Sequence, residues 1–178
     1  MRTNLIIILS VILNAYYTGV FASEYNVVDF GAISDTSVLS TKAIQKAIDT
    51  CNSTGGGIVN IPAGSYKTGS IFLRDNVILN VENGATLYGS TNLADYKKVK
   101  PAYVSLRTQE ATMQLIYAEN AVNTGIIGNG MIDGQGKGFA KLTEHDEGIT
   151  RPHLIRFITC KNITIKNINL KNSGCWMQ

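Results

Sequence analysis

The densest cluster of ionisable side chains is Glu144-His145-Asp146-Glu147, and the only other histidine is His153. Carboxylates and imidazoles together can hold a metal. The His-Glu-x-x-His spacing that sets two imidazoles on one helical face is missing, however. The run reads as a solvated, charged loop, so no metal site and no cofactor is assigned. Carboxylates can also do general acid/base work, and Asp133 and Glu119 are the isolated candidates. Asp133 lies in Ile-Asp-Gly-Gln-Gly, where flanking glycines predict a tight turn with the carboxylate on backbone amides. Glu119 precedes Asn120 at a strand end and reads as a surface or capping residue. Arg151 and Arg156 have the forked geometry that grips carboxylates. Tyr88, Tyr96, Tyr103, Phe139 and Trp176 could stack on sugar rings, although burial is the commoner use of such residues. No Gly-x-Ser-x-Gly elbow and no phosphate-cradling Gly-Lys-Ser occurs. No residue is therefore assigned as catalytic, and substrate-binding residues stay unassigned.

Cys51, Cys160 and Cys175 cannot all pair within one chain. Buried thiols are as good a reading as a disulfide. Asn52-Ser-Thr and Asn162-Ile-Thr match the glycosylation acceptor pattern. Asn162 also fits a stacked, corner-turning asparagine, and that reading is preferred.

These groups need a scaffold. Residues 1–22 carry one charge, Arg2, then an apolar run broken only by Ser10 in residues 5–13, then Val20-Phe21-Ala22. The run is shorter than the ~20 apolar residues a membrane span needs. It reads as a signal peptide cleaved before Ser23, which predicts a secreted, extracellular protein (periplasmic if bacterial) with no membrane attachment after cleavage. Cleavage leaves 15 basic against 13 acidic side chains. That near balance argues against nucleic acid. Residues 137–171 hold seven Lys or Arg against three Asp or Glu, a bias that could suit an acidic ligand but usually marks a solvated face.

One helix is predicted, residues 41–51, with Ala43, Ile44, Ala47, Ile48 and Cys51 on one face. Ser40 or Thr41 is its expected cap. A strand is predicted over 25–30. Beyond Gly57 short β-rich runs follow at 58–61, 71–73, 77–81, 86–88, 115–118, 125–127, 131–133, 154–158, 163–165 and 168–170. Two-residue hairpin signals between them are scarce. Asn76-Val-Ile-Leu-Asn-Val, Asn123-Thr-Gly-Ile-Ile-Gly and Asn162-Ile-Thr-Ile-Lys-Asn form a loose repeat, the pattern of a solenoid. Asn also recurs at 162, 167 and 172, and asparagine tolerates the left-handed corner a coil needs. The fold class is therefore all-β: a right-handed, single-stranded parallel β-helix, with the helix as an N-terminal lid over exposed strand edges. Residues 95–109 and 136–150 read as loops projecting from it, where repeat proteins place ligand contacts.

At this point whole strings become specific. Tyr25-Asn-Val-Val-Asp-Phe-Gly-Ala32, Thr41-Lys-Ala-Ile-Gln-Lys-Ala-Ile-Asp49, Gly55-Gly-Gly-Ile-Val-Asn-Ile-Pro-Ala-Gly-Ser-Tyr66 and Gly69-Ser-Ile-Phe-Leu73 resemble the N-terminal segment of pectin-degrading β-helix enzymes. Leu115-Ile-Tyr-Ala-Glu-Asn120, Ile127-Gly-Asn-Gly-Met-Ile-Asp-Gly-Gln-Gly136, Arg151-Pro-His-Leu-Ile-Arg-Phe157, Lys161-Asn-Ile-Thr-Ile165, Leu170-Lys-Asn-Ser173 and Trp176 narrow this to glycoside hydrolase family 28, the polygalacturonases and their relatives. The resemblance implies an inverting hydrolase of α-1,4-galacturonosyl linkages, a pectic polysaccharide partner and a monomer at full length. Two departures are local. Ser34-Asp35-Thr36 stands where relatives usually carry Gly-Asp-Gly, and Gly174-Cys175 where they commonly have Pro before the residue preceding Trp. The family's catalytic motifs, Asn-Thr-Asp, Asp-Asp, Gly-His-Gly and Arg-Ile-Lys, lie downstream of its Ser-x-x-Trp segment, and none is in these 178 residues. Residues 23–178 are thus expected to be the N-terminal part of a β-helix domain lacking its C-terminal coils, inactive alone and prone to associate. A lyase or epimerase on the same fold, or a non-catalytic carbohydrate-binding β-helix, is the alternative.

Overall fold

A computed structural model describes residues 23–100, 102–103, 112–139 and 151–175. The expected signal peptide, the Glu144–Glu147 cluster and Trp176 lie outside the described residues. The chain begins with β1 (Ser23–Asn26), a 3-10 turn (Val27–Phe30) and helix α1 (Thr41–Ser53). A first coil follows: β2 (Gly57–Ile61), β3 (Gly64–Thr68) and β4 (Ile71–Phe72). The second coil is β5 (Val77–Val81), β6 (Ala85–Gly89) and β7 (Gln114–Glu119). The third is β8 (Gly125–Ile127), β9 (Met131–Asp133) and β10 (His153–Ile158), and β11 (Thr164–Lys166) and β12 (Asn169–Lys171) open a fourth.

Each strand pairs in parallel with its counterpart one coil away. Sheet A runs β1-β2-β5-β8-β11, sheet B runs β3-β6-β9-β12, and sheet C runs β4-β7-β10. This is the right-handed parallel β-helix expected from the repeat. The alternation of side chains fixes the register, because a one-residue slip would turn every apolar residue outward. Val59, Leu79 and Ile126 stack in sheet A. Tyr66, Leu87 and Ile132 stack in sheet B, and Ile71, Ile116 and Ile155 in sheet C. All nine are buried, and each aliphatic side chain so buried stabilises by roughly 1.5–3 kcal/mol.

The corner from sheet C to sheet A is turned by left-handed residues. Asn76, Asn123 and Asn162 have φ of 58°, 55° and 53°. Asn123 Nδ2 donates to Asn76 Oδ1 at 2.9 Å, and Asn162 Nδ2 donates to Asn123 Oδ1 at 3.0 Å. Asn167 and Asn172 are left-handed as well, so the repeated asparagines mark corners as the sequence suggested. At the corner from B to C, coils approach closely. A Cβ on Gly136 would lie 2.2 Å from the carbonyl oxygen of Ser173.

Helix α1 buries Ile44, Ala47, Ile48 and Cys51 against β1, β2, β4 and β5. It runs two residues further than predicted, to Ser53, and closes on Gly55 and Gly56, both at positive φ. Three readings need correction. Residues 25–30 do not form one strand: the extended part ends at Asn26, whose side chain accepts a hydrogen bond from the Val28 amide and starts the 3-10 turn. Ser40 occupies the N-cap position without capping, because its Oγ bonds the Ile33 amide and carbonyl instead. Thr41 Oγ1 accepts from the Gly69 amide. Strand β3 was not predicted, since in Gly-Ser-Tyr-Lys-Thr only Tyr66 is a large apolar residue. That one side chain is 1 % exposed and anchors the strand.

Candidate functional site

The three corners of each coil differ in length. From A to B the chain needs two or three residues, such as 62–63 and 82–84, and from C to A it needs four or five. From B to C the first coil uses only Gly69 and Ser70, whereas the second spends residues 90–113 and the third 134–152. Both predicted loops therefore leave from the same corner, beside sheet C. The first is tied down on three sides. Ser70 Oγ donates to the Gln114 carbonyl at 2.6 Å and accepts from the Lys97 amide at 3.0 Å. Glu119 Oε1 accepts from the Ala102 amide at 2.7 Å. Tyr96 donates its hydroxyl to the Ser90 carbonyl at 2.7 Å and meets Phe139 of the second loop edge-on, with centroids 6.2 Å apart.

Sheet C itself presents a mixed column. Phe72 pairs in register with Tyr117, and Tyr117 with Arg156. Alternation sets these three opposite the buried Ile71, Ile116 and Ile155, on the outer face. Phe72 and Tyr117 meet edge-on at 5.8 Å, and Lys97 Nζ stands 5.4 Å above the Phe72 ring. The Tyr117 hydroxyl donates to Glu119 Oε2 at 2.9 Å. Burial foremost, and then Glu119, push the Tyr117 pKa upward, so the phenol keeps its proton as a hydrogen-bond donor. The Arg156 charge acts on both Tyr117 and His153. Tyr117 is only 4 % exposed, so what this face offers is recognition by the half-buried Phe72 ring and by cations that can meet a carboxylate.

Several sequence candidates do something else. Asp133 is buried, and its two oxygens accept from Asn172 Nδ2 at 3.1 Å each while Oδ1 also accepts from the Gln135 amide at 2.9 Å. It holds the corner together, as its glycine-flanked setting suggested. Tyr96 and Phe139 are buried packing residues. Tyr103 is exposed, and Tyr88 lies half-buried on sheet B in register with Asp133. His153 is 4 % exposed in register with Gln114. Its burial, followed by the Arg156 charge, pushes its pKa down to about 4. It is therefore neutral across ordinary pH and offers no charge to a carboxylate. Among the described residues no three His, Cys, Asp or Glu side chains gather as metal ligands. The sequence reading overlooked Phe72, Lys97 and Tyr117. A signal was present: Ser70-Ile71-Phe72, Leu115-Ile116-Tyr117 and Leu154-Ile155-Arg156 align as a repeat whose third position is the outer column.

Comparison with known proteins places these coils in context. A family model described as Glycosyl hydrolases family 28 matches residues 51–177. An exo-poly-alpha-D-galacturonosidase of Dickeya chrysanthemi is 37% identical over 139 residues, covering 74% of this chain and 23% of that protein. A Vitis vinifera protein named "Probable polygalacturonase" is 34% identical over 165 residues, covering 87% of this chain and 33% of its own length. The family 28 exopolygalacturonase of Yersinia enterocolitica superposes with a TM-score of 0.74 at 28% identity, over 86% of this chain and 35% of that one. The chain thus spans about a quarter of the first of these curated relatives and a third of the second.

Proposed function

The chain belongs to the glycosyl hydrolases of family 28, and from that membership we propose that it is the N-terminal portion of a secreted, polygalacturonase-like hydrolase. The whole protein cleaves α-1,4-galacturonosyl linkages in pectic polysaccharide with inversion. The match over residues 51–177 carries the reading. Inversion requires an acid and a base on opposite faces of the sugar with a water between them. Asp133 and Glu119 are already engaged in the scaffold, by Asn172 and by Tyr117 and Ala102 respectively. By the family resemblance, the reacting carboxylates belong to the four family motifs, carried on further coils. Such coils would stack on β10, β11 and β12, which end their sheets here. The role of the present coils is to start the solenoid, to hold the B-to-C loops and to supply the outer face of sheet C for the uronate chain.

The test uses the full reading frame expressed with its leader. Polygalacturonate should release reducing ends whose first-formed anomer, followed by proton NMR, is inverted relative to the substrate. Products with unsaturated ends, seen by ultraviolet absorbance, would make the protein a lyase. Binding without any product would make it a carbohydrate-binding β-helix.

A further inference from the structure

A groove of about 580 Å³ lies between helix α1 and the outer face of β4. Its floor is Phe72 with Gln45 and Ser70, and its rim carries Lys42, Lys46 and Lys97. The three lysines are exposed. The single carboxylate in the lining, Asp49, is taken by Arg74 at 2.9 Å, which leaves the groove with a net positive rim. The arrangement is costly to the helix alone. Lys42 sits in the first turn, where the dipole disfavours a cation, and that turn contains no acid. Lys42 and Lys46, four residues apart, repel one another.

The floor, by contrast, is rigid. Gln45 Oε1 accepts from the Phe72 amide at 2.8 Å and its Nε2 donates to the Phe72 carbonyl at 2.9 Å. This fixes Phe72 with its ring beneath Lys97. An aromatic floor rimmed by three ammonium groups suits a ligand with flat apolar ring faces and regularly placed carboxylates. Neither a neutral glycan nor a compact phosphate uses both features.

We infer that the α1–β4 groove is an accessory binding site for a carboxylated oligosaccharide of the oligogalacturonate type. It shares Phe72 and Lys97 with the outer face of sheet C and anchors the polymer at the N-terminal end of that face. The ligand class rests on the proposed function; the groove and its charge do not. Anchoring there raises the local concentration of the chain for the coils beyond, by the arithmetic of a second attachment point.

The experiment is lysine footprinting on the longest chain the gene encodes. The protein is acetylated briefly with and without trigalacturonate, and each lysine is read by mass spectrometry. Protection of about tenfold is expected at Lys42, Lys46 and Lys97, with none at Lys166 on sheet A. Galactotriose, the uncharged counterpart, should protect none of them. A double Lys42→Gln, Lys46→Gln variant should raise KM for long polygalacturonate by roughly threefold per lysine at low salt, the range for exposed ion pairs, and leave kcat unchanged. The corresponding arginine variant should restore KM. Equal acetylation with and without trigalacturonate, or equal protection by galactotriose, would overturn the site. A protein that shows the protection but releases no reducing ends would keep the site and lose the hydrolase reading.

Discussion

Gln45 completes sheet C where a strand is missing. Its amide meets both backbone groups of Phe72, so the edge of β4 that faces the helix is paired by one side chain. Gln45→Ala should cost about 1–3 kcal/mol, because it leaves backbone groups unsatisfied in a half-buried setting. Urea unfolding monitored by circular dichroism would measure it, and a change below half a kilocalorie would show that water takes over the role. His153 gives a second handle. Its folded pKa of about 4 lies below its ordinary value of 6.5, so between these two values the unfolded chain binds a proton that the folded chain refuses. Stability should fall as pH drops from about 6.5 toward 4, with no further loss from this group below that. His153→Gln should flatten this part of the melting-temperature profile. Neither role was legible beforehand. Gln45 occupies an ordinary helix position, and nothing in Arg151-Pro-His-Leu tells a buried imidazole from a sugar contact.

The elements themselves were largely written in the residue pattern. Strands β5, β8 and β9 fall where alternation and punctuating Asn and Gly put them, because a half-buried strand must alternate. The corner asparagines were equally readable, since few residues other than glycine accept φ near 55°. What escaped was set by tertiary packing: β3 has Tyr66 as its one large apolar anchor, and the Ser40 hydroxyl is engaged by Ile33 in place of the helix amides. The asparagine column allows its backbone and side-chain contributions to be separated. Asn123→Gly keeps the left-handed corner and loses two hydrogen bonds. Asn123→Ala loses those bonds and strains the backbone as well. The alanine variant should be less stable than the glycine one by about 1–2 kcal/mol, measured by thermal and urea melts. Equal stabilities would mean that the corner carries no conformational strain. The same column bears on modification: Asn162 Nδ2 is held by Asn123, and Asn52 Nδ2 by the Asp75 carbonyl at 2.9 Å. A glycan on either asparagine would leave Nδ2 a single N–H with which to make its bond.

At the scale of the whole molecule, the coils form a platform whose one variable corner, from B to C, gathers both long loops beside the Phe72, Tyr117 and Arg156 column. The family was readable from its strings because close coil packing demands them. Gly136 and the Asp133 turn admit little else where neighbouring coils meet. The outer column was less visible, since its members share a position in the coil and not a residue type. The central claim is that these coils support hydrolysis performed by motifs they do not contain. It is tested most directly by assaying reducing-end release from polygalacturonate with the full-length protein and with residues 23–178 side by side. The account predicts turnover by the full-length protein and none by residues 23–178. Reducing ends released by residues 23–178, or none released by the full-length protein, would contradict it.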